Sequence, residues 1–503
     1  MSNPYIVLPV IFQLFIAVIL MFCWTRKNLQ KLISVTGSLI ALIISVSLFA
    51  SVRTGGIQTM QAGNWEAPFG ISFVADTFSA MMVVLTAISG LAVSVFSVGS
   101  VRNARIKFGY FPILHLLLMG LSGAFLTGDI FNLYVWFEII IISSFVLITI
   151  GGEKAQLEGA IKYVTMNLLA SVIFLTAIAI LYGLTGSLNM ADLSLKVSEI
   201  ENRGLVNVTA ILFLVGFGIK SAVFPLYFWL PASYHTPPPA ISAIFGGLLT
   251  KVGVYALLRV FTLIFIPDAF LSTLITVIAI MTILTGGIGA LGQNNIRKIF
   301  SYLIICHIGY MVAGLGIYTE VAITGAIFYL VHDIIVKTNL FMASGLIFKI
   351  KGTYSMRLLG GFYKQYPKLS LLMAVPLFSL VGIPPLSGFW GKLLLVEGGI
   401  ETSNYWLISF IILGSFLTLI IIARLWAEVF WKEGPDLPKK KHVKYFNELK
   451  PLKKQAMIIS IALLGLVSLA TGFGAEWVIR VAQTVSSELL DSRNYIDAVL
   501  GTL

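Results

Sequence analysis

Apolar runs close to 20 residues long recur along almost the whole of this 503-residue chain. That is the length a helix needs to cross a hydrocarbon core of about 30 Å. Backbone in lipid must satisfy its own polar groups, so only helices or a closed barrel can be built from such segments. A barrel would show runs of about ten residues alternating apolar and polar, and none are present. Helices are therefore predicted, about fourteen of them. They fall near residues 4–24, 31–51, 73–98, 109–126, 130–150, 160–183, a pair within 206–262, 270–292, 297–318, 321–348, 370–396, 405–431 and 456–480. Composition agrees, with 58% hydrophobic and 11% charged residues, against about a quarter charged in soluble domains. The fold class expected is an all-α polytopic membrane protein.

The net charge of +12 would suit a nucleic-acid partner, but its distribution argues otherwise. Basic residues gather in alternate loops: Arg26, Lys27 and Lys31; Arg102, Arg105 and Lys107; Arg297 and Lys298; Lys349, Lys351, Arg357, Lys364 and Lys368. The loop from Lys432 to Lys454 is richest, with Lys439, Lys440 and Lys441 in a row. The intervening loops mix Arg53, Lys196, Arg203 and Arg493 with acids such as Asp192, Glu199, Glu201, Glu320 and Glu401. This is the positive-inside pattern. It predicts a cell-membrane protein with both termini outside and no nucleic-acid partner. No signal-peptide layout precedes the first run, which is expected to be the first helix. Cys23 and Cys306 both fall in predicted spans, as small apolar core residues.

Within these spans lie Lys220, Lys251, Lys337, Lys392 and Glu138. Each charge at the bilayer centre costs roughly 2.5–3.5 kcal/mol on insertion scales. Such groups need a partner, a wet cavity or a task, and passing protons or cations is the task that explains all five. Glu138, in Tyr134 to Ile142, has no nearby cation in sequence, so its partner must come from another helix. Lys220 stands five residues before Pro225, beside a predicted helix break, and a Lys–Glu pair that forms and separates is a proton switch. Lys251 could receive the proton next, or simply neutralise Glu138.

Asp333 and Lys337 are four residues apart and can pair as a structural bridge. His332 shares their helix, and His307 is a lone histidine on an apolar face. Each reads either as a hydrogen-bonded core residue or as a proton relay. His235, in the proline-rich loop at the inner face, is an uptake group or a plain loop residue. Lys392 follows Pro384 and Pro385 by two turns and is placed to end an internal path. Asp76, Arg259 and Arg424 lie near span ends and read as anchors. No phosphate loop, haem-attachment pattern, zinc spacing or flavin fingerprint occurs, so no cofactor or redox chemistry is expected. No cluster of acids at membrane depth marks a metal site.

Pro225 and Pro231 interrupt one helical run, and Ile383-Pro384-Pro385 interrupts another. Two broken helices in corresponding parts of a long membrane chain suggest an inverted repeat. One block runs over 109–262 and the other over 263–431, its helices beginning near 270. Each has five helices, and Lys220 corresponds to Lys392 and Glu138 to His307. Residues 1–108 form an N-terminal three-helix segment. Residues 432–503 hold the basic cytoplasmic loop and a C-terminal helix.

The stretch Gly218 to Pro231, with Lys220 and Pro225, and the stretch Gly247 to Tyr255, with Lys251, resemble the core signature of antiporter-like subunits. Such subunits occur in respiratory complex I and in multisubunit Mrp-type Na+/H+ antiporters. Ser301 to Tyr310, with His307, and Gly382 to Lys392 fit as well, so the resemblance covers nearly the whole chain. Within the family the chain is most similar to the D-type Mrp subunits. It lacks a long C-terminal extension, and it has lysine at 392 where one complex I subunit carries glutamate.

The resemblance implies fourteen helices, inverted five-helix repeats and broken helices holding the key lysines. It implies that Glu138 and Lys220 form the regulating pair, Lys251 the central carrier and Lys392 the terminal one. Lys337, His307 and His332 would link centre and end. The function expected is that of a proton-translocating subunit, not itself an enzyme, in a cation/proton antiporter complex. Its partners are the other subunits, membrane lipids, protons and Na+. The equivalent pumping subunit of complex I is the alternative. A scaffold whose buried charges only bind partner helices is a further one, and a self-sufficient solute carrier a third.

Overall fold

The computed structural model describes residues 3–435 and 445–501. Lys439, Lys440 and Lys441 of the basic loop lie outside them. Among the described residues twelve helices are long and apolar enough to cross a membrane, from Pro4–Phe22 to Pro451–Phe473. The shorter Tyr110–Leu126 adds a crossing. Pro367–Val381 and Ser387–Glu401 run in tandem as one more, which brings the crossings to the fourteen expected. Asn3 N–H donates to Thr59 O at 2.9 Å, and Thr59 Oγ1 donates to Ala498 O at 3.3 Å. Both termini therefore meet on one face.

Polar caps set where several helices begin. Asp76 accepts from the Ser79 N–H at 2.8 Å, while Ser79 Oγ accepts from the Asp76 N–H at 2.9 Å. Asp129 likewise caps Ile130–Thr149 through the Asn132 N–H at 2.7 Å. Such caps satisfy N–H groups that have no partner inside the helix. The span predicted from residue 73 accordingly begins at Thr77. Residues Ser72–Ala75 instead pair antiparallel with Gln58–Gln61 in a short hairpin on the terminal face. The loop after Gly186 carries a short helix, Met190–Glu199.

The C-terminal end departs from expectation. The last span stops at Phe473, not near 480, and two further helices follow, Ala475–Leu490 and Arg493–Leu500. Ala475–Leu490 buries Val478, Val481, Ala482, Val485 and Leu489, the spacing of a one-sided helix, while Glu476 and Arg480 stay exposed. Cys23 lies just past the first helix, Leu8–Phe22, and is partly exposed. Cys306 is buried, and both are free.

Both proline-rich interruptions take the same form. Arg203–Ser221 ends with Ala222 in the left-handed region at φ 61°. Pro225 follows three residues later, and the chain turns through Trp229–Ser233 before the next span. Pro367–Val381 ends with Gly382 at φ 88°, Pro385 again follows three residues later, and the helix restarts at Ser387. A third irregularity is a π turn at Phe245–Leu249, inside Pro239–Leu263. Pro239–Leu263 is buried throughout, and Ile296–Ile317 and Glu320–Lys351 nearly so. These three helices make the interior, and Lys251, Arg259, His307, His332, Asp333 and Lys337 all lie on them.

Candidate functional site

The centre of the site is Asp333. Its carboxylate lies 2.6 Å from Lys251 Nζ, 3.1 Å from His307 Nδ1 and 3.9 Å from Lys337 Nζ. All four side chains are fully shielded. One carboxylate thus answers two ammonium groups and an imidazole contributed by three helices. The π turn explains how Lys251 fits: lengthening the turn frees a carbonyl, and Lys251 Nζ donates to Gly246 O at 2.8 Å. Lys337 Nζ makes no hydrogen bond among the described residues. The i, i+4 pairing of Asp333 with Lys337 is present but long. Asp333 did not stand out in sequence as a site residue, because that bridge offered a sufficient local explanation. Its contacts with Lys251 and His307 come from other helices.

His332 faces the second helix break. Its Nδ1 is 2.8 Å from Ser387 Oγ, at the first residue of the restarted helix. Ser387 and Ser379 both reach Ser468, at 3.3 and 3.2 Å. The Nε2 atoms of His332 and His307 have no hydrogen-bond partner among the described residues. Gly388 packs so closely here that a Cβ would stand 2.0 Å from Ser379 O and 2.9 Å from the His332 ring. Lys392, one turn further, donates to Val381 O at 2.9 Å, a carbonyl that the break leaves without its helical partner. Between Asp333 and Lys392 stand Tyr310 and Tyr329, whose rings pack on His307. Lys392 Nζ lies 5.2 Å from the Tyr310 ring centre. Among the described residues neither tyrosine hydroxyl has a hydrogen-bond partner. Sequence alone gave no reason to select them from among 18 tyrosines.

Lys220 sits at the other end. Its ammonium donates to Ser171 Oγ at 3.2 Å and rests 4.5 Å from the Phe137 ring centre. Glu138, the next residue along from Phe137, is partly exposed, and its Oε1 has no hydrogen-bond partner. No ion pair joins it to Lys220 within 4 Å among the described residues. Lys220 thus packs on the residue that precedes Glu138, and not on its carboxylate. Beside Lys220 a cavity of about 10 Å³ is lined by Tyr163, Asn167, Trp229, Tyr234 and Leu249, which is about the space of one water. At the Lys392 end a larger cavity of about 460 Å³ opens between Gly382, Ile383, Phe389, Ile412 and Phe416.

His235 is in the turn before Pro239–Leu263, with Nδ1 2.8 Å from Pro231 O. Burial, reinforced by Lys298 and Arg297, pulls its imidazole down to about 4. Arg297 holds the same turn by donating to Pro237 O and Ser242 Oγ. Asp76 and Arg259 form a buried ion pair. Arg424 donates to Leu291 O and Asn294 Oδ1, both at 2.8 Å.

Taken together these residues can hold mobile protons on a chain of weakly separated bases across the membrane interior. Residues 127–418 match the family described as NADH:quinone oxidoreductase/Mrp antiporter, TM. The chain is 42% identical over 499 residues to the D-type subunit of the Na(+)/H(+) antiporter of Bacillus subtilis (strain 168), covering 99% of each. It is equally identical, over the same share of both chains, to the antiporter protein of that name from Alkalihalophilus pseudofirmus. Among solved structures, a chain of the Mrp complex from Dietzia sp. DQ12-45-1b superposes with a TM-score of 0.91. There the sequence identity is 29%, over 99% of both chains.

Proposed function

The chain belongs to the NADH:quinone oxidoreductase/Mrp antiporter transmembrane family, and on that footing we propose that it is the proton-translocating subunit of a multisubunit Na+/H+ antiporter. The observation that carries the reading is Asp333, held between Lys251, Lys337 and His307 where no water-exposed surface reaches. A carboxylate shared by two ammonium groups leaves one positive charge unmatched. A proton arriving from Lys220 or leaving toward Lys392 changes that balance and so the proton affinity of the next group.

Protons move along the membrane midplane from Glu138 and Lys220, through Lys251, Asp333, His307 and Lys337, past His332 and Ser387, to Lys392. Glu138 regulates by approaching or leaving Lys220 around the Phe137 ring. The two five-helix blocks, 109–262 and 263–431, are inverted repeats, and the matching left-handed residue and proline at each break support that pairing. The protein works without a cofactor, as a transporter subunit and not an enzyme. It sits in the cell membrane with both termini outside, and partner subunits and lipids surround it. The 42% identity to D-type antiporter subunits favours this assembly over complex I.

The test is Na+/H+ exchange in vesicles from cells expressing the whole complex, with Lys220→Ala against wild type and assembly followed on native gels. Exchange lost with assembly intact supports the relay. Exchange retained refutes it, and loss of assembly instead favours a structural pair.

A further inference from the structure

Eight residues beyond Lys251 on the same helix lies Arg259, about 12 Å further along the axis. That is most of the way from the membrane centre to the terminal face. Tyr255 stands between them at i+4 from each. It donates to Phe125 O at 2.8 Å and lies 3.5 Å from Arg259 Nη2. Arg259 pairs with Asp76. The next residue, Thr77, donates its N–H and its hydroxyl to the Glu488 carboxylate at 3.1 and 2.7 Å. Glu488 belongs to the one-sided helix Ala475–Leu490 and is the only member of the group that reaches solvent: Asp76, Arg259 and Tyr495 are all shielded. Tyr495 closes the other side, its ring 5.2 Å from the guanidinium. Nearby, Ser486 donates to Glu320 O at 2.8 Å and Arg53 to Thr484 Oγ1 at 2.9 Å.

The charges count oppositely to those at the centre. Here one guanidinium, ion-paired with Asp76, has a second carboxylate nearby in Glu488, which is held by Thr77 and not by the arginine; there one carboxylate answers two ammonium groups. An arginine does not release its proton, so the surplus negative charge must be borne by the carboxylates. Asp76 is capped and ion-paired, which leaves Glu488 as the group free to bind a proton. Burial and the neighbouring Asp76 raise its proton affinity, against the opposing pull of Thr77 and Arg259.

We propose that Glu488, with the Asp76–Arg259 pair and Tyr255, is the proton port on the terminal face. Glu488 takes protons from water there and Tyr255 connects the port to Lys251. This rests on the relay reading above and adds to it a vertical branch and a task for the C-terminal helix. Arg259 is a positioning residue, fixing Asp76 so that only Glu488 exchanges protons with water.

The experiment measures exchange in right-side-out vesicles of the whole complex while the external pH is varied, for Glu488→Gln, Glu488→Asp and Lys220→Ala. Glutamine still accepts from the Thr77 N–H and instead donates its amide to the Thr77 hydroxyl, but it binds no proton. The expected result for Glu488→Gln is a loss of about a hundredfold or more in rate, the scale for removing one proton-transfer group. The dependence on external pH flattens, assembly stays normal, and Glu488→Asp recovers part of both. Wild-type rate and pH profile in Glu488→Gln, with Lys220→Ala inactive, overturn the port and leave the relay standing. Failed assembly in Glu488→Gln overturns it in favour of a strap. Active Lys220→Ala overturns the relay, and the port with it.

Discussion

Replacing Asp333 by asparagine keeps the size and a carbonyl oxygen but removes the one negative charge facing two ammonium groups. At an effective dielectric of about 20, attraction at 2.6 Å amounts to about 6 kcal/mol and at 3.9 Å to about 4 kcal/mol. Much of that gross energy only offsets the cost of taking the ions out of water. The net penalty for breaking a buried pair by removing one partner is about 3–5 kcal/mol. At 1.4 kcal/mol per factor of ten, the arrangement with both lysines charged becomes about a hundredfold or more less populated. The protein escapes by releasing a proton from Lys251 or Lys337, which removes the carrier charge. Asp333→Asn should therefore abolish exchange in vesicles and lower the thermal midpoint of the solubilised complex. Adding Lys251→Met should restore part of the midpoint but none of the exchange, since it removes one of the two ammonium charges left unmatched, together with the carrier. Normal exchange in Asp333→Asn would refute the idea that the shared carboxylate sets the relay's charge balance.

Gly388→Ala puts a methyl group into the carbonyl of Ser379 and against His332. The restarted helix should shift, with exchange reduced while Lys392 and His332 remain, as read in the same vesicles. His235 prefers the neutral form in the fold, its value of about 4 lying below the ordinary 6.5. Between those two values the unfolded chain binds more protons, so acidification from pH 6.5 toward 4 destabilises the fold through this group. His235→Gln should flatten that part of the stability profile in thermal unfolding of the complex. It should leave the exchange rate between pH 7 and 8 unchanged if the residue takes no part in proton uptake.

The spans were legible because a 20-residue apolar run has no other use at this density, and the breaks because proline forbids the helix to continue. Boundaries were less legible where a polar cap or a short strand decided them. Ser72–Ala75 is apolar enough to extend a span, yet it pairs with Gln58–Gln61 in a partner segment that sequence does not point to. Buried lysines announce themselves by cost, and every one of them lies in the protein interior. Asp333 and the tyrosines between His307 and Lys392 did not, for opposite reasons. Asp333 had a plausible neighbour on its own helix, which concealed its distant ones. A tyrosine in a membrane chain is ordinary, and only the three-dimensional stack distinguishes Tyr310 and Tyr329. The Asp76–Arg259 pair spans 183 positions of sequence, beyond the reach of any local pattern.

Lys251 is the midpoint of Pro239–Leu263, and Glu138, His307 and Lys337 each lie within two residues of the midpoint of their own helices. Moving one elementary charge fully across the membrane is worth about 2.3 kcal/mol per 100 mV. A proton passing sideways among groups at one depth crosses almost none of that field. On the proposed route the lateral run is thus electrically silent and works equally well in a charged or a discharged membrane. That route confines all the voltage dependence of transport to the vertical legs by which protons reach the midplane and leave it.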